Sequence, residues 1–389
     1  MLGHPPAGLG EEVGVTVGTG DGAPLMPAEW EPHERTWMAW PAGGYTLGDT
    51  PAEADEARRT WAAVANAVVE HEPVTVVVAP HEEAAARRLL AAAVATVVLP
   101  LDDAWMRDTG PTFVRTADGA VAAVTWVFNG WGGQDWATWD HDARIGTEVA
   151  RLAGAGRIAS SLVNEGGGIH VDGHGTVLVT ETVQRDPGRN PGWSRADVEA
   201  ELARTTGARR VVWLPRGLTR DGERFGTRGH VDIVATFTPG GPVLLHDQRD
   251  PDHPDHAVTG GIRAVLEAAD DARGRALEVR PLPAPRTLRD ARGWVDWSYV
   301  NHYVCDGAVI ACAFDDPADD EAAEVLADAY PGRAVVRVDA RPLFDRGGGI
   351  HCITQQQPAV GVRVPPGAQE GDAVPASADG HGQEVRWSS

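Results

Sequence analysis

One supersecondary pattern recurs along most of this chain: two β-branched segments joined by a glycine turn, then a helix, then a further strand. Asp-Gly or Gly-Gly steps between apolar runs predict β-hairpins. The predicted hairpins cover residues 112–128, 168–180, 230–246 and 299–314. Their turn glycines recur roughly every sixty residues, which is typical of a repeat architecture.

Each later hairpin is followed by a predicted helix and strand. The predicted helices are residues 194–206, 258–272 and 317–330, and the strands after them are 210–214, 278–281 and 334–338. The opening stretch, with a strand at 36–40, helices at 51–70 and 81–93, and apolar runs at 74–78 and 96–99, counts as a fifth unit. Such units cannot bury their sheet faces alone, so we expect them to pack in a ring.

Composition limits the possible partners. The 389 residues carry a net charge of −22, which argues against nucleic acid and anionic membrane as partners. Three cysteines are too few for a disulfide scaffold, so a cytoplasmic location is expected. Residues 1–25 and 366–389 lack periodicity and are predicted to be flexible tails around a single domain, residues 26–365.

A glycine run near the end of the chain delivers Cys352. Gly-Gly-Gly-Ile-His precedes this cysteine at residues 347–351 and recurs at 166–170, which predicts the same structural position in two units. In a ring, the residues just before the hairpins meet on the axis. These residues are Asp108, Glu165, His230, Asn301 and Cys352. Arg228, His230 and Asp232 alternate along a predicted strand and are expected to share one face.

This residue set indicates guanidine chemistry. A cysteine with a histidine forms a nucleophile and acid–base pair. Several carboxylates around it suit a planar cation, because a guanidinium pairs bidentately with carboxylates. A bimetal hydrolase that uses both His-Val-Asp segments, residues 170–172 and 230–232, together with His351 is a disfavoured alternative. Cys305 and Cys312 are interpreted as inert core residues.

Four segments together resemble the agmatine deiminase family, which groups with the bacterial peptidylarginine deiminases in the guanidine-modifying superfamily. They are residues 103–111, 164–167, 229–232 and 347–354, and the resemblance extends over about 26–365. It implies a pentein fold, a five-bladed α/β propeller of ββαβ modules with pseudo-fivefold symmetry. It also implies hydrolysis of a guanidinium to a ureido group plus ammonia, without metal or organic cofactor.

By this resemblance Cys352 attacks the guanidinium carbon, Asp108 and Asp232 hold its nitrogens, and His230 is the acid and base. Glu165 binds the guanidinium or orients His230. The predicted substrate-binding residues are Trp105, Arg228, Asn301 and Trp131. The Trp-rich stretch 126–139 is either a substrate lid or a packed surface loop.

Arg228 is unusual for the agmatine branch, since a cation on the face of His230 would repel an amine-tailed substrate. A peptidyl-arginine deiminase that acts on arginine-containing peptides is therefore an alternative to an enzyme for a cationic guanidino small molecule. A non-catalytic guanidine-binding protein is a third hypothesis. The resemblance also suggests a homodimer.

Overall fold

The structure is a computed structural model that describes residues 23–361, so the predicted tails lie outside the described residues except for positions 23–25. The helices are α1 (Gly44–Leu47), α2 (Pro51–Val68), α3 (Glu83–Leu89), α4 (Met106–Thr109), α5 (Gly130–Gly133), α6 (Asp142–Leu152), α7 (Glu181–Gln184), α8 (Arg195–Thr206), α9 (Pro254–Glu267), α10 (Asp319–Ala329) and α11 (Arg341–Phe344). Within residues 23–361, no helix has the length and apolar character needed to cross a membrane.

The strands are β1 (His33–Ala39), β2 (Val74–Val78), β3 (Ala95–Val98), β4 (Thr112–Arg115), β5 (Val121–Val127), β6 (Gly156–Val163), β7 (Ile169–Val171), β8 (Thr176–Thr180), β9 (Arg210–Leu214), β10 (Ala235–Phe237), β11 (Val243–Asp247), β12 (Val279–Pro283), β13 (Arg289–Asp290), β14 (Gly293–Trp294), β15 (Tyr303–Cys305), β16 (Ala308–Ala313), β17 (Ala334–Asp339) and β18 (Thr354–Pro358). Together with the helices they form a mixed α/β fold.

The predicted strand–strand–helix–strand unit occurs in four sheets of identical order. These sheets are β4-β5-β6, β7-β8-β9, β10-β11-β12 and β15-β16-β17. In each sheet the first two strands are antiparallel and the third lies parallel to the second, across a helix. Helix α6 and strand β6 complete the first of these units, although the sequence reading had placed no helix there.

A fifth, four-stranded sheet joins the two ends of the folded chain. Strand β18 pairs antiparallel with β1, and β2 and β3 follow in parallel. Helix α2 covers this sheet with a buried face that includes Trp61 and Val64, and it begins at a capping box formed by Thr50 and Glu53. The opening stretch therefore takes its missing antiparallel strand from the chain's last strand.

The segment around His230 differs from the sequence prediction. Residues Val231–Ile233 form a 3₁₀ turn, and strand β10 begins only at Ala235. Arg228 has a left-handed backbone (φ 76°) and an exposed side chain, so it does not share a face with the buried His230. The cause lies in Asp221, whose carboxylate accepts the backbone N–H of His230 at 3.0 Å and holds the segment in a turn.

The two Gly-Gly-Gly-Ile-His copies occupy different positions, contrary to the prediction. In the first copy the glycines themselves form a 3₁₀ turn, Gly166–Gly168. In the second copy the 3₁₀ turn is His351–Ile353, and strand β18 follows at once. The structural counterpart of Cys352 is therefore the middle glycine, Gly167, and Asp232 occupies the same middle position of its own turn.

A buried hydrogen-bond cluster ties the first sheet to the hairpin of β15 and β16. Glu72 accepts hydrogen bonds from His33 Nδ1 at 3.0 Å, from the backbone N–H of Asp306 at 2.7 Å and from the Thr36 hydroxyl. Tyr303 also reaches Glu72, at 3.3 Å. His33, Glu72 and Asp306 are close enough to hold a metal ion, but these hydrogen bonds already occupy both Glu72 oxygens.

Replacement of Glu72 by alanine is expected to lower the free energy of unfolding by roughly 3–5 kcal/mol, because it leaves a buried histidine and several buried donors without their acceptor. Urea unfolding monitored by tryptophan fluorescence measures the change. The matched control is Glu70→Ala, two residues away and exposed, which should stay within about 0.5 kcal/mol. A Glu72 variant as stable as this control would contradict the prediction.

Candidate active site

Cys352 lies buried in its 3₁₀ turn and faces a small cavity of about 10 Å³. Its Sγ accepts a hydrogen bond from Asn301 Nδ2 at 3.3 Å and lies 3.7 Å from Asp232 Oδ2. Asn301 also accepts the backbone N–H of His351 at 3.0 Å, which fixes the turn that carries the thiol. Asn301 and Asp232 therefore position the sulfur at the cavity wall.

Trp105 packs beside the thiol because a glycine separates them. A Cβ atom at Gly348 would lie 2.6 Å from the Trp105 ring and 3.1 Å from Cys352 Sγ, closer than real Cβ atoms come to the ring. Trp105 is itself buried and meets Trp61 edge-to-face, at 5.5 Å between ring centroids. The glycine run thus allows an aromatic wall to approach the sulfur.

His230 is buried and lies between two carboxylates. Its Nε2 is 3.1 Å from Glu165 Oε2, and its Nδ1 is 3.8 Å from Asp108 Oδ1. Burial alone would lower the pKa of His230, but the carboxylates of Asp108 and Glu165 outweigh it and raise the pKa to about 9. At neutral pH the ring is therefore an imidazolium that can give up a proton.

Glu165 is held by a cation that the sequence reading did not single out. Arg189 Nε donates to both Glu165 oxygens, at 3.0 and 3.1 Å, and Arg189 Nη1 also pairs with Asp186 at 2.8 Å. Burial would raise the pKa of Glu165, but Arg189 and His230 hold it below its usual value. Glu165 is therefore an ionised acceptor fixed against His230.

Asp108 completes the opposite side of the site. Its Oδ1 accepts the Gly167 N–H at 3.2 Å and its Oδ2 accepts the Trp131 indole N–H at 2.9 Å. Burial raises the pKa of Asp108 to about 6, although the charge of His230 opposes this rise. A Cβ at Gly167 would lie 2.6 Å from His230 Nδ1 and 3.0 Å from Asp108 Oδ1, so a glycine is required for these groups to converge.

Behind the thiol, His351 bridges two carboxylates. Its Nδ1 is 2.8 Å from Asp232 Oδ2 and its Nε2 is 2.8 Å from Glu29 Oε2. Although burial favours the neutral ring, the flanking carboxylates raise the pKa of His351. Arg107 pairs with Glu29 at 3.3 Å rather than with the neighbouring Asp108, and Asp232 Oδ1 has no hydrogen-bond partner among the described residues. Asp232 therefore keeps one free oxygen on the cavity side of this bridge.

The Trp-rich stretch contributes one hydrogen-bonding residue to the site and aromatic side chains that pack beside the cavity. Trp131, buried and bonded to Asp108, stacks on the half-buried Trp136 at 5.3 Å. Trp136 and Tyr45 pack against Phe225, whose backbone borders Gly347 at the cavity. Because the cavity holds about one water, a substrate can enter only if some of these side chains move.

The structure brings together eight of the nine residues predicted for the site and leaves out Arg228, whose guanidinium contacts Gly222 O at 3.5 Å on the surface. Sequence reasoning did not identify Arg189, Glu29 or Asp221. The site partners of Glu29 and Arg189 are distant in sequence, and Asp221, whose partners Thr227 and His230 are near, lies outside the motifs singled out above. Only their contacts in the folded chain give them a place in the site.

Two residues of the metal alternative, His170 and Asp172, form their hydrogen bonds away from Cys352. His170 Nε2 is 2.8 Å from the Thr236 hydroxyl, and its Nδ1 accepts the Phe237 N–H. Burial lowers the pKa of His170 to about 3. Asp172 accepts bonds from its own hairpin turn, including one from Thr176 at 2.6 Å. These hydrogen bonds account for the His-Val-Asp segment without a ligand.

Comparisons with known proteins show similarity to deiminases over most of the chain. A model of the Porphyromonas-type peptidyl-arginine deiminase family matches residues 25–358. A Streptomyces coelicolor protein named putative agmatine deiminase is 57% identical over 334 residues, 86% of this chain and 98% of that protein. The agmatine deiminase of Stutzerimonas stutzeri is 40% identical, over 87% of this chain and 96% of its own. The solved structure of Enterococcus faecalis agmatine deiminase has a TM-score of 0.80 at 31% identity, and the match covers 88% of this chain and 97% of that one.

The surroundings of Cys352 predict that its thiol is protonated in the substrate-free protein. Burial raises the pKa of the Cys352 thiol well above its usual value, and the charges of Asp232 and Asp108 raise it further. The difference in absorbance at 240 nm between the protein and its Cys352→Ala variant should therefore show no thiolate at pH 7–8. A thiolate signal that titrates below pH 8 would contradict this reading. Asp232→Asn, which removes one negative neighbour, should move the titration to lower pH.

Proposed function

The chain belongs to the Porphyromonas-type peptidyl-arginine deiminase family, and we propose that its substrate is agmatine. It is a guanidine deiminase, a hydrolase that acts on C–N bonds of linear amidines. The observation that carries the proposal is the arrangement of Cys352, His230 and Asp232 on one cavity, with Asp108 and Glu165 behind His230. This set combines a nucleophile, an acid–base group and carboxylates for a cation.

The small-molecule substrate is favoured over a peptide for two reasons. Curated relatives at 40% identity are agmatine deiminases, and the cavity is enclosed and lined by carboxylates. Arg228, the residue that would have repelled an amine-tailed substrate, lies on the surface. A peptidyl arginine remains the second candidate, because the matching family is named for that activity.

In the first proposed step the substrate guanidinium lies between Asp108 and Asp232. Its positive charge offsets the carboxylates that hold the thiol protonated, so the Cys352 proton leaves to solvent as the substrate binds. The sulfur then attacks the guanidinium carbon, and His230 gives its proton to the departing nitrogen. The C–N bond breaks, ammonia leaves, and a covalent S-alkylthiouronium remains.

In the second step the neutral His230 accepts a proton from water as that water attacks the same carbon. The C–S bond breaks, the thiolate is restored, the second proton of that water leaves to solvent, and the product carries a ureido group. Glu165, fixed by Arg189, stabilises the imidazolium in both half-reactions and sets the ring's orientation. Trp105 packs beside the sulfur across Gly348, and Trp131 orients Asp108. Asn301 donates to the sulfur.

We further infer a five-bladed α/β propeller of ββαβ modules. Five sheets carry the same antiparallel-then-parallel order, and the closing pair β18 and β1 supports a ring. Residues of four sheet-leading segments meet at the site, as ring closure requires: Asp108, Glu165, Asp232 and Cys352. The homodimer and the cytoplasmic location remain predictions from the sequence.

The proposal is tested by the release of ammonia and ureido product from agmatine, free arginine and arginine-containing peptides. Agmatine should be hydrolysed with the highest kcat/KM, and Cys352→Ala should abolish turnover. His230→Ala should lower kcat about 10²- to 10⁴-fold, the range typical of a lost general acid–base group. Turnover of peptides but not agmatine would assign the second candidate, and no turnover of any guanidine would refute the enzyme.

Arg189 offers a pH test of the His230 environment. Loss of Arg189 removes a positive charge from beside Glu165, so the Glu165 carboxylate attracts the His230 proton more strongly and the pKa of His230 rises. Protonated His230 is needed for ammonia departure, so activity should fall as pH rises past about 9 in the wild type. In Arg189→Gln this alkaline limb should lie at higher pH.

The control for this test is Arg185→Gln. Arg185 is on the same segment but half exposed, and it pairs with Glu181 away from the site. Its pH profile should match the wild type. An Arg189 variant that loses activity equally at every pH, without a shifted limb, would mean that Arg189 only stabilises the fold.

A further inference from the structure

Asp296 lines the same cavity as Cys352, yet no side chain that the structure describes donates a hydrogen bond to its carboxylate, which accepts only from its own backbone N–H. The residue is partly exposed. Nearly all buried carboxylates in proteins are paired or hydrogen-bonded. A carboxylate without a side-chain partner in the cavity of the nucleophile is therefore a position where a ligand is expected.

The fold holds this carboxylate in place through the backbone before it. The short hairpin of β13 and β14, which is separate from the five larger sheets, ends at Trp294. The Trp294 carbonyl accepts from Arg220 Nη1 at 3.3 Å, and the Val295 carbonyl faces His253 Nε2 at 3.2 Å. Asp296 follows directly, so the two peptide groups before it are each held by a hydrogen bond.

Nearby charges do not neutralise Asp296. Burial raises its pKa to about 7, and the carboxylate of Asp221 contributes to the rise. Arg220 is close enough to oppose this shift, but its guanidinium donates to Asp290 at 2.6 Å. A carboxylate whose pKa is raised in the folded chain opposes folding when it ionises, so a purely structural role does not explain it.

The rest of the cavity lining favours a second positive charge on the ligand. His230 is the only basic residue among the described lining residues, against three carboxylates, and Arg228 lies outside. The full lining is Asp221, Thr227, His230, Asp232, Ile233, Asp296, Phe344, Gly347, Gly348 and Cys352. Asp232 and Cys352 face the reacting guanidinium in the proposed mechanism, whereas Asp221 is occupied by the backbone of Thr227 and His230. This leaves Asp296 for the other end of the substrate.

We propose that Asp296 is a specificity-determining residue that binds a cationic group at the non-reacting end of the substrate, the terminal ammonium of an agmatine-like guanidine. This inference rests on the proposed function. It selects an amine-tailed small molecule over a peptidyl arginine, whose side chain ends in a backbone flanked by neutral amides. Asp296 takes no part in bond making or breaking.

The test compares agmatine with n-pentylguanidine, which carries a methyl group in place of the ammonium. The wild type should show a higher kcat/KM for agmatine. Asp296→Asn should lower kcat/KM for agmatine roughly ten- to hundredfold, mainly through KM, because one charge-assisted hydrogen bond is lost. The same variant should leave kcat/KM for n-pentylguanidine nearly unchanged. Equal losses on both substrates, or no agmatine preference in the wild type, would overturn the proposal.

Asp135→Asn is the matched control for the loss of one negative charge. Asp135 lies in the Trp-rich stretch with a side chain 81% exposed, and it pairs only with the exposed Arg224 at 3.5 Å. Its effect on agmatine should be less than about twofold, since exposed charges are screened by solvent. A loss as large as that of Asp296→Asn would mean that overall charge, not a subsite, attracts the amine.

Binding measurements separate this inference from the proposed function. Calorimetric titration of agmatine into Cys352→Ala and into the double variant Cys352→Ala/Asp296→Asn requires no turnover. At least tenfold weaker binding to the double variant supports the subsite, even if the wild type hydrolyses no guanidine. Equal binding by the two proteins refutes it, whatever the activity.

The unfolding temperature of Asp296→Asn separates a substrate-binding role from a structural role, because the two roles predict changes of opposite sign. The pKa of Asp296 is about 7 in the folded chain and about 4 in an unfolded one, so its ionisation opposes folding increasingly as pH rises between these values. Asp296→Asn should therefore leave the unfolding temperature at pH 8 unchanged or raise it. A lowered unfolding temperature would indicate a structural carboxylate and contradict the proposal.

Discussion

Burial of several carboxylates around one thiol is the constraint on which the rest of this site depends. An ionised carboxylate without a partner costs several kcal/mol when it is removed from water. Glu165 therefore relies on Arg189, and Asp232 on His351, which in turn relies on Glu29. These partners come from distant parts of the chain, so the charges at the centre can be buried only when the sheets have assembled around them.

Close backbone approach is the second requirement, and glycine supplies it at two places. Gly167 lets Asp108 and His230 converge, and Gly348 lets Trp105 approach the sulfur. The 3₁₀ turns show how one local structure serves different purposes in different sheets. Its middle position holds a glycine in one sheet, the carboxylate of Asp232 in another and the thiol of Cys352 in a third. A repeated scaffold can thus present unlike groups to one cavity.

The repeat was predictable from local sequence signals, whereas contacts between distant parts of the chain were not predictable. Asp-Gly and Gly-Gly turns fix hairpins within a few residues, and the predicted strands Val74–Val78 and Arg210–Leu214 have the bounds seen in the structure. The pairing of β18 with β1 joins opposite ends of the chain, and no local pattern encodes it. The types of the site residues were also readable, because cysteine, histidine and carboxylates beside glycines are chemically distinctive. The role of Arg189 was not predictable from the sequence, since only its contact with Glu165 distinguishes it from other arginines. The same-face prediction for Arg228 was wrong because Asp221 holds that segment in a turn rather than a strand.

In the proposed mechanism, the selectivity for a cationic substrate and the activation of the Cys352 thiol have the same origin. The carboxylates that would hold a guanidinium, Asp108 and Asp232, are the same groups that raise the pKa of the Cys352 thiol. A neutral amide bound in the cavity would leave that pKa high and the sulfur protonated. A guanidinium offsets the two charges and so favours the thiolate at the moment when its target carbon is in place. The acidic cavity would therefore protect the nucleophile from side reactions in the free protein and make it reactive toward cationic ligands, without any separate activating group.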